Sequence, residues 1–103
     1  MPGPRLTTPV LKIMAAMLAD PDAEHYGLRL MEQTGLPSGT LYPILVRLER
    51  AGWVVSRWEE ADPVSEGRPN RRYYRLTGEG AAAARDEVER IHAQMARAIR
   101  RPA

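Results

Sequence analysis

Two apolar stripes at helical spacing stand on either side of four residues that cannot continue a helix. Upstream lie Tyr26, Leu30 and Met31; downstream lie Leu41, Ile44, Leu45 and Leu48, spaced three, one and three. Between them is Thr34-Gly35-Leu36-Pro37. Gly35 falls where a left-handed residue closes a helix, and Pro37 or Ser38 opens the next one. Two helices joined this tightly have helix-turn-helix spacing, with the second helix placed to read a surface and the first to brace it.

The flanking sequence completes the order. Thr8-Pro9 pairs an N-cap with a proline at the first helical position. Val10, Ile13, Met14, Met17 and Leu18 then predict a helix over 9–19, stopped by Asp20-Pro21-Asp22. The second helix is expected over 25–34, and the third ends at Gly52. Trp53 to Glu59 reads as a strand, residues 62–70 as a flexible tip, and 71–76 as the returning strand. Trp53, Trp58 and Tyr74 are expected to pack the core or brace this hairpin. Thr77 caps a last helix over 79–99, roughly 30 Å long at 1.5 Å per residue. The expected fold is mainly α with a small β-hairpin, a winged helix-turn-helix in the order α-α-α-β-β-α with a C-terminal dimerisation helix. Its divisions are a flexible N-terminus over 1–7, the winged domain over 8–76, the last helix over 77–100 and a tail over 101–103.

A chain of 103 residues has room for one hydrophobic core. It has no Cys, so disulfides and thiolate metal sites are excluded, and a reducing cytoplasm is the expected location. Charged residues interrupt its short apolar runs, leaving no transmembrane span or signal peptide. The net charge of +2 says little, but its distribution says more. Between Ser65 and Leu76 stand Arg68, Arg71, Arg72 and Arg75 against the single acid Glu66. A cluster this local points to a polyanion. A solvated hairpin with cross-strand ion pairs is the plainer reading.

The outward face of the third helix carries Ser38, Gly39, Thr40, Tyr42, Pro43 and Arg47. Hydroxyls and free backbone N–H groups at a helix N-terminus suit phosphate, and Tyr42 and Arg47 reach backbone or base edges. Gly39 and Pro43 are poor choices for a helix whose only task is stability. Pro43 removes one ladder bond. In the hairpin, Arg68, Arg71 and Arg72 are the expected contacts to double-stranded DNA. Arg75, further down the strand, is expected to serve structure or to pair with Glu59 or Glu60.

These residues resemble the PadR family of bacterial transcriptional regulators. The likeness rests on Tyr26-Gly27, Thr34-Gly35-Leu36, the run Ser38 to Leu45, and Arg47-Leu48-Glu49. Gly67-Arg68-Pro69, Arg72 to Thr77 and Gly80 extend it over roughly residues 11–84. It implies a homodimer that binds a palindromic operator, usually as a repressor, with the last helix at the dimer interface. It also implies an unidentified small-molecule effector in some members. The short length resembles the subfamily without a larger C-terminal helical domain. Some short members stack flat compounds between tryptophans of the last helix; residues 80–100 here contain no aromatic residue.

The last helix supports the dimer independently. Ala84, Val88, Ile91, Met95 and Ala98 are spaced four, three, four and three, a coiled-coil-like seam. Val88, Ile91, Met95 and Ile99 are the interface candidates; packing within the monomer is the alternative. No catalytic, metal or cofactor site is expected: His25 and His92 lie on different elements, and the glycines are too scattered for a phosphate loop. A winged-helix module for binding other proteins is the competing class. An apolar outer face on the third helix would favour it. A membrane role is disfavoured by the acids on the last helix.

Overall fold

The structure, a computed structural model, describes residues 3–100. Residues 1–2 of the expected flexible segment and the expected tail 101–103 lie outside the described residues. The elements run α1 (Thr8–Leu18), β1 (His25–Tyr26), α2 (Gly27–Thr34), α3 (Ser38–Arg50), β2 (Val54–Trp58), α4 (Pro63–Glu66), β3 (Arg72–Leu76) and α5 (Gly78–Arg100). This is a mainly helical winged helix-turn-helix with a small antiparallel sheet and a long C-terminal helix.

Three helices converge on one core. α1 buries Val10, Ile13, Met14 and Met17, α2 buries Leu30, and α3 buries Leu41, Ile44, Leu45 and Leu48. Each such side chain contributes about 1.5–3 kcal/mol by leaving water, which fixes how α3 sits on the domain. α1 begins one residue earlier than expected, with Thr7 rather than Thr8 at the cap and Pro9 in the first turn. The turn between α2 and α3 closes as its residues predict. Gly35 takes φ +73°, a left-handed conformation that a β-carbon would strain, and its N–H donates to the Met31 carbonyl at 2.8 Å. The Thr34 hydroxyl donates to the Leu30 carbonyl at 2.6 Å and accepts from the Leu36 N–H at 3.2 Å.

The second helix is shorter than its sequence suggests. His25 and Tyr26 form an extended edge strand, paired antiparallel with β3 in the register His25 with Tyr74 and Tyr26 with Tyr73. The sheet therefore has three strands in the order β1-β3-β2, where a two-stranded hairpin was expected. β3 has a second edge to satisfy, and His25 is buried there with its Nε2–H donating to the Asp20 carbonyl at 3.2 Å. The Tyr26 ring meets Tyr73 edge-on, with centroids 6.2 Å apart.

The wing tip is more ordered than a flexible loop. Asp62 caps α4, its Oδ1 accepting from the Val64 N–H and its Oδ2 from the Ser65 hydroxyl, both at 3.0 Å. The two tryptophans separate: Trp53 is buried in the core, whereas Trp58, expected to pack or brace, is 58% exposed. At the far side Thr77 caps α5, accepting from the Gly80 N–H at 3.0 Å while donating to the Gly52 carbonyl at 2.7 Å.

α5 packs on α1 and buries Gly80, Ala81, Ala84 and Glu87 in its first half, with Gly80 against the Trp53 backbone. Its second half leaves the domain, stretching the molecule to 62 × 29 × 23 Å. No helix among the described residues is long and apolar enough to cross a membrane.

Candidate nucleic-acid interface

Because Leu41, Ile44, Leu45 and Leu48 all point into the core, α3 turns its opposite face wholly to solvent. Gly39, Tyr42, Pro43, Val46, Arg47 and Arg50 are exposed there in one continuous stripe, spaced three, one, three, one and three. Ser38 is exposed at the leading edge, and Thr40 is half-buried on the flank. The N-cap is Pro37, which has no side-chain acceptor to offer. The N–H groups of Thr40 and Leu41 both donate to the Pro37 carbonyl at 3.0 Å. The earlier N–H groups of Ser38 and Gly39 have no intrahelical acceptor, as at any helix start. Pro43 has no N–H to donate to the Gly39 carbonyl, which leaves a further acceptor on the same face. The start of α3 thus presents donors and acceptors on a surface with no bulk at Gly39, where an added β-carbon would meet nothing within 4 Å.

Tyr42 is held by close packing on the start of α2. A β-carbon at Gly27 would overlap its hydroxyl and ring, so the glycine makes room for the tyrosine. Val46 fills the stripe between Pro43 and Arg47, and Arg50 extends it beyond the residues singled out from sequence. The apolar stripe that located Arg47 implied them equally.

Three of the four wing arginines, Arg68, Arg71 and Arg72, are engaged. Arg68 donates from both terminal nitrogens to Glu59, at 2.7 and 3.1 Å. Glu59 also accepts from the Tyr73 hydroxyl at 3.1 Å and the Arg71 N–H at 3.4 Å. Chiefly through Arg68, these donors hold its carboxyl down at about 2. The ion pair expected between Arg75 and Glu59 or Glu60 is therefore not formed: Glu59 belongs to Arg68, and Arg75 is exposed on the outer face of the sheet. Arg71 lies over the Tyr26 ring at 4.2 Å. Arg72 lies over Trp58 at 5.2 Å and 3.7 Å from a Glu49 oxygen. Glu49 also accepts the Ser56 hydroxyl, tying α3 to β2. On the opposite sheet face Arg57 covers Tyr73 at 5.1 Å and pairs with Glu24, whose carboxyl this hydrogen bond lowers. Burial pushes the Tyr74 hydroxyl up.

Between α3 and the wing runs a groove of about 630 Å³, lined by Tyr42, Leu28, Trp58, Pro69 and the stacked arginines. The stripe and the wing therefore flank one concave surface. Its lining sets four aromatics, Tyr26, Tyr42, Trp58 and Tyr74, with Leu28 and Pro69, beside Arg68, Arg71 and Arg72.

The dimer candidates divide along α5. Val88 and Ile91 are half-buried where the helix leaves α1, while Met95 is 57% and Ile99 81% exposed. Every described residue from 92 to 100 is exposed, His92 included.

Residues 17–86 match the Transcriptional regulator PadR-like family. The fold is similar to a PadR family transcriptional regulator from Eggerthella lenta, with 26% identity and a TM-score of 0.65 over 81% of this chain and 73% of that one. It is also similar to the PcaV transcriptional regulator from Streptomyces coelicolor, solved with its natural ligand. That match has 26% identity and a TM-score of 0.71, covering 91% of this chain and 60% of that one. A PadR-like transcription factor from Bacteroides fragilis shares the fold at 24% identity and a TM-score of 0.69, covering 87% of this chain and 84% of that one. No curated protein matches the chain.

Proposed function

Since the chain belongs to the PadR-like family of transcriptional regulators, we propose that it acts as a homodimer that binds a palindromic operator and represses transcription from it. The observation that carries this reading is the single solvent-facing stripe on α3, small and polar at its start and cationic at its end, flanked by the wing. In the major groove, Ser38, Gly39 and Thr40 face phosphates and base edges with hydroxyls and N–H groups. Tyr42, Pro43 and Arg47 set the fit further along.

The three wing arginines contribute unequally. Arg71 and Arg72 lie over Tyr26 and Trp58; Arg71 has no acidic partner among the described residues and offers its N–H groups to phosphates, while Arg72 shares its charge with Glu49. Arg68 spends both terminal nitrogens on Glu59 and acts mainly as a brace.

The free half of α5 supports the dimer. Val88, Ile91, Met95 and Ile99 continue one face of the helix past the end of its own domain, and burying that face needs a second chain. A two-fold pair would place two α3 helices about 34 Å apart, matching successive major grooves. The likeness to PcaV, solved with its ligand, supports a small-molecule effector as a further partner. The cytoplasm is the proposed site of action.

Hydroxyl-radical footprinting on the DNA upstream of the gene tests the reading. Two symmetric protected half-sites about one helical turn apart are expected. An unprotected fragment at low salt would refute operator binding. Light scattering on Ile91→Glu and Met95→Glu tests the seam: half the wild-type mass is expected, and a monomeric wild type at micromolar concentration would exclude it.

A further inference from the structure

Three of the cations that have no acidic partner among the described residues gather at the C-terminal end of α3. Arg47 and Arg50 stand in its last turn, on the same stripe as Tyr42 and Pro43. Beside them lies Arg5, carried by the segment before α1. The three line an open groove of about 360 Å³ with Gly3, Pro4 and Ala51, and no carboxylate lines it. Among the described residues, the ion pairs engage Arg57, Arg68, Arg72 and Arg90 but none of these three. The nearest acid in sequence, Glu49, is turned away to Ser56 and Arg72.

The segment that carries Arg5 lies against the domain. Gly3 lies so close to the Trp53 indole that a β-carbon there would overlap the ring. Leu6 packs against the core, and the Thr7 N–H donates to the Arg5 carbonyl at 3.1 Å. The fold thus holds three guanidinium groups around one groove with no countercharge, an arrangement that repels itself until an anion fills it.

We propose that Arg5 and Arg50, beside Arg47, form a clamp for DNA backbone phosphates at the C-terminal end of the reading helix. This inference rests on the reading of α3 as the helix that enters DNA. A duplex lying along the stripe passes over this groove, because Arg47 and Arg50 share the face of Tyr42 and Pro43. Around Arg5 and Arg50 the groove offers positive charge and no hydrogen-bond acceptor side chain, so these two hold phosphates and do not distinguish bases.

The test is fluorescence anisotropy with the full chain and two duplexes, one from the DNA upstream of the gene and one of unrelated sequence. Arg5→Ala and Arg50→Ala are each expected to weaken both duplexes alike, by roughly five- to tenfold at 0.1 M salt. Each removes one contact from both protomers of the dimer and should reduce the log–log salt slope by roughly 1.8. Arg5→Lys and Arg50→Lys should restore most of the loss. Arg85→Ala, which removes a charge from exposed α5, should leave binding unchanged. Wild-type affinity and slope in both alanine variants would overturn the clamp. So would lysine variants as weak as the alanines, since the role would then be structural. A wild type that binds neither duplex would overturn the DNA reading itself, and the clamp with it.

Discussion

The wing and the far end of α3 are both rich in arginine, yet they hold their charges differently. In the wing Arg68 is locked to Glu59, Arg71 is stacked on Tyr26, and Arg72 is stacked on Trp58 beside Glu49. At the end of α3, Arg47, Arg50 and Arg5 face one groove with no acid among its lining residues. The difference teaches that a charge cluster in sequence is not the same as free charge in space. In the wing Glu59 reaches Arg68 and Glu49 of α3 reaches Arg72, whereas Arg5, Arg47 and Arg50 converge with no acid between them.

The largest effect that would sharpen this contrast is at Arg47. Arg47→Ala is expected to cost about 1–3 kcal/mol of operator binding, and less on unrelated DNA. A competition titration between the two duplexes measures it. Equal loss on both would demote Arg47 from reading bases to holding phosphates. Next come Arg71→Ala and Arg72→Ala, each expected to weaken all duplexes alike by roughly five- to tenfold at 0.1 M salt. Arg68→Ala should do less than either; a larger loss than at Arg71 would break the division between brace and contact.

How much of this was legible before folding depends on the length of each signal. The apolar stripe of α3 runs over eight residues, Leu41 to Leu48, and places Arg47 on the outside; it implied Val46 and Arg50 as well. β1 is two residues long, too short to show alternation, and His25-Tyr26 followed by Leu30 fits a helix equally well. α4 begins with Pro63 and ends before Gly67, both proper helix punctuation, but four residues cannot display a stripe. The partner of Glu59 depends on the register across the tip, which fixes Arg68 and not Arg75 as its neighbour. The approach of Arg5 to Arg50 joins residues far apart in the chain, and nothing in a Pro- and Gly-bearing segment signals it.

A smaller effect concerns the brace. Glu59→Gln removes a negative charge and loosens Arg68, so binding to unrelated duplex at low salt should rise by roughly twofold, with faster hydrogen exchange at Arg71 and Tyr73. Weaker binding would mean that wing order matters more than free charge. The smallest effect is with pH. The Glu59 carboxyl titrates at about 2 in the fold against an ordinary 4.5. Its ion pair is therefore complete above about 4.5 and fades as pH falls towards 2. Carboxyl chemical shifts of Glu59 across that range should show a midpoint near the lower value; a midpoint at the ordinary value would mean that Arg68 is free.

The most direct test of the whole account is the affinity of the wild-type chain for the duplex upstream of its gene, followed by anisotropy from 50 to 200 mM salt. Arginines from α3, its flanking segment and the wing, doubled in a dimer, should give a log–log slope of roughly −4 or steeper. No binding at 50 mM salt, or an affinity indifferent to salt, would contradict it.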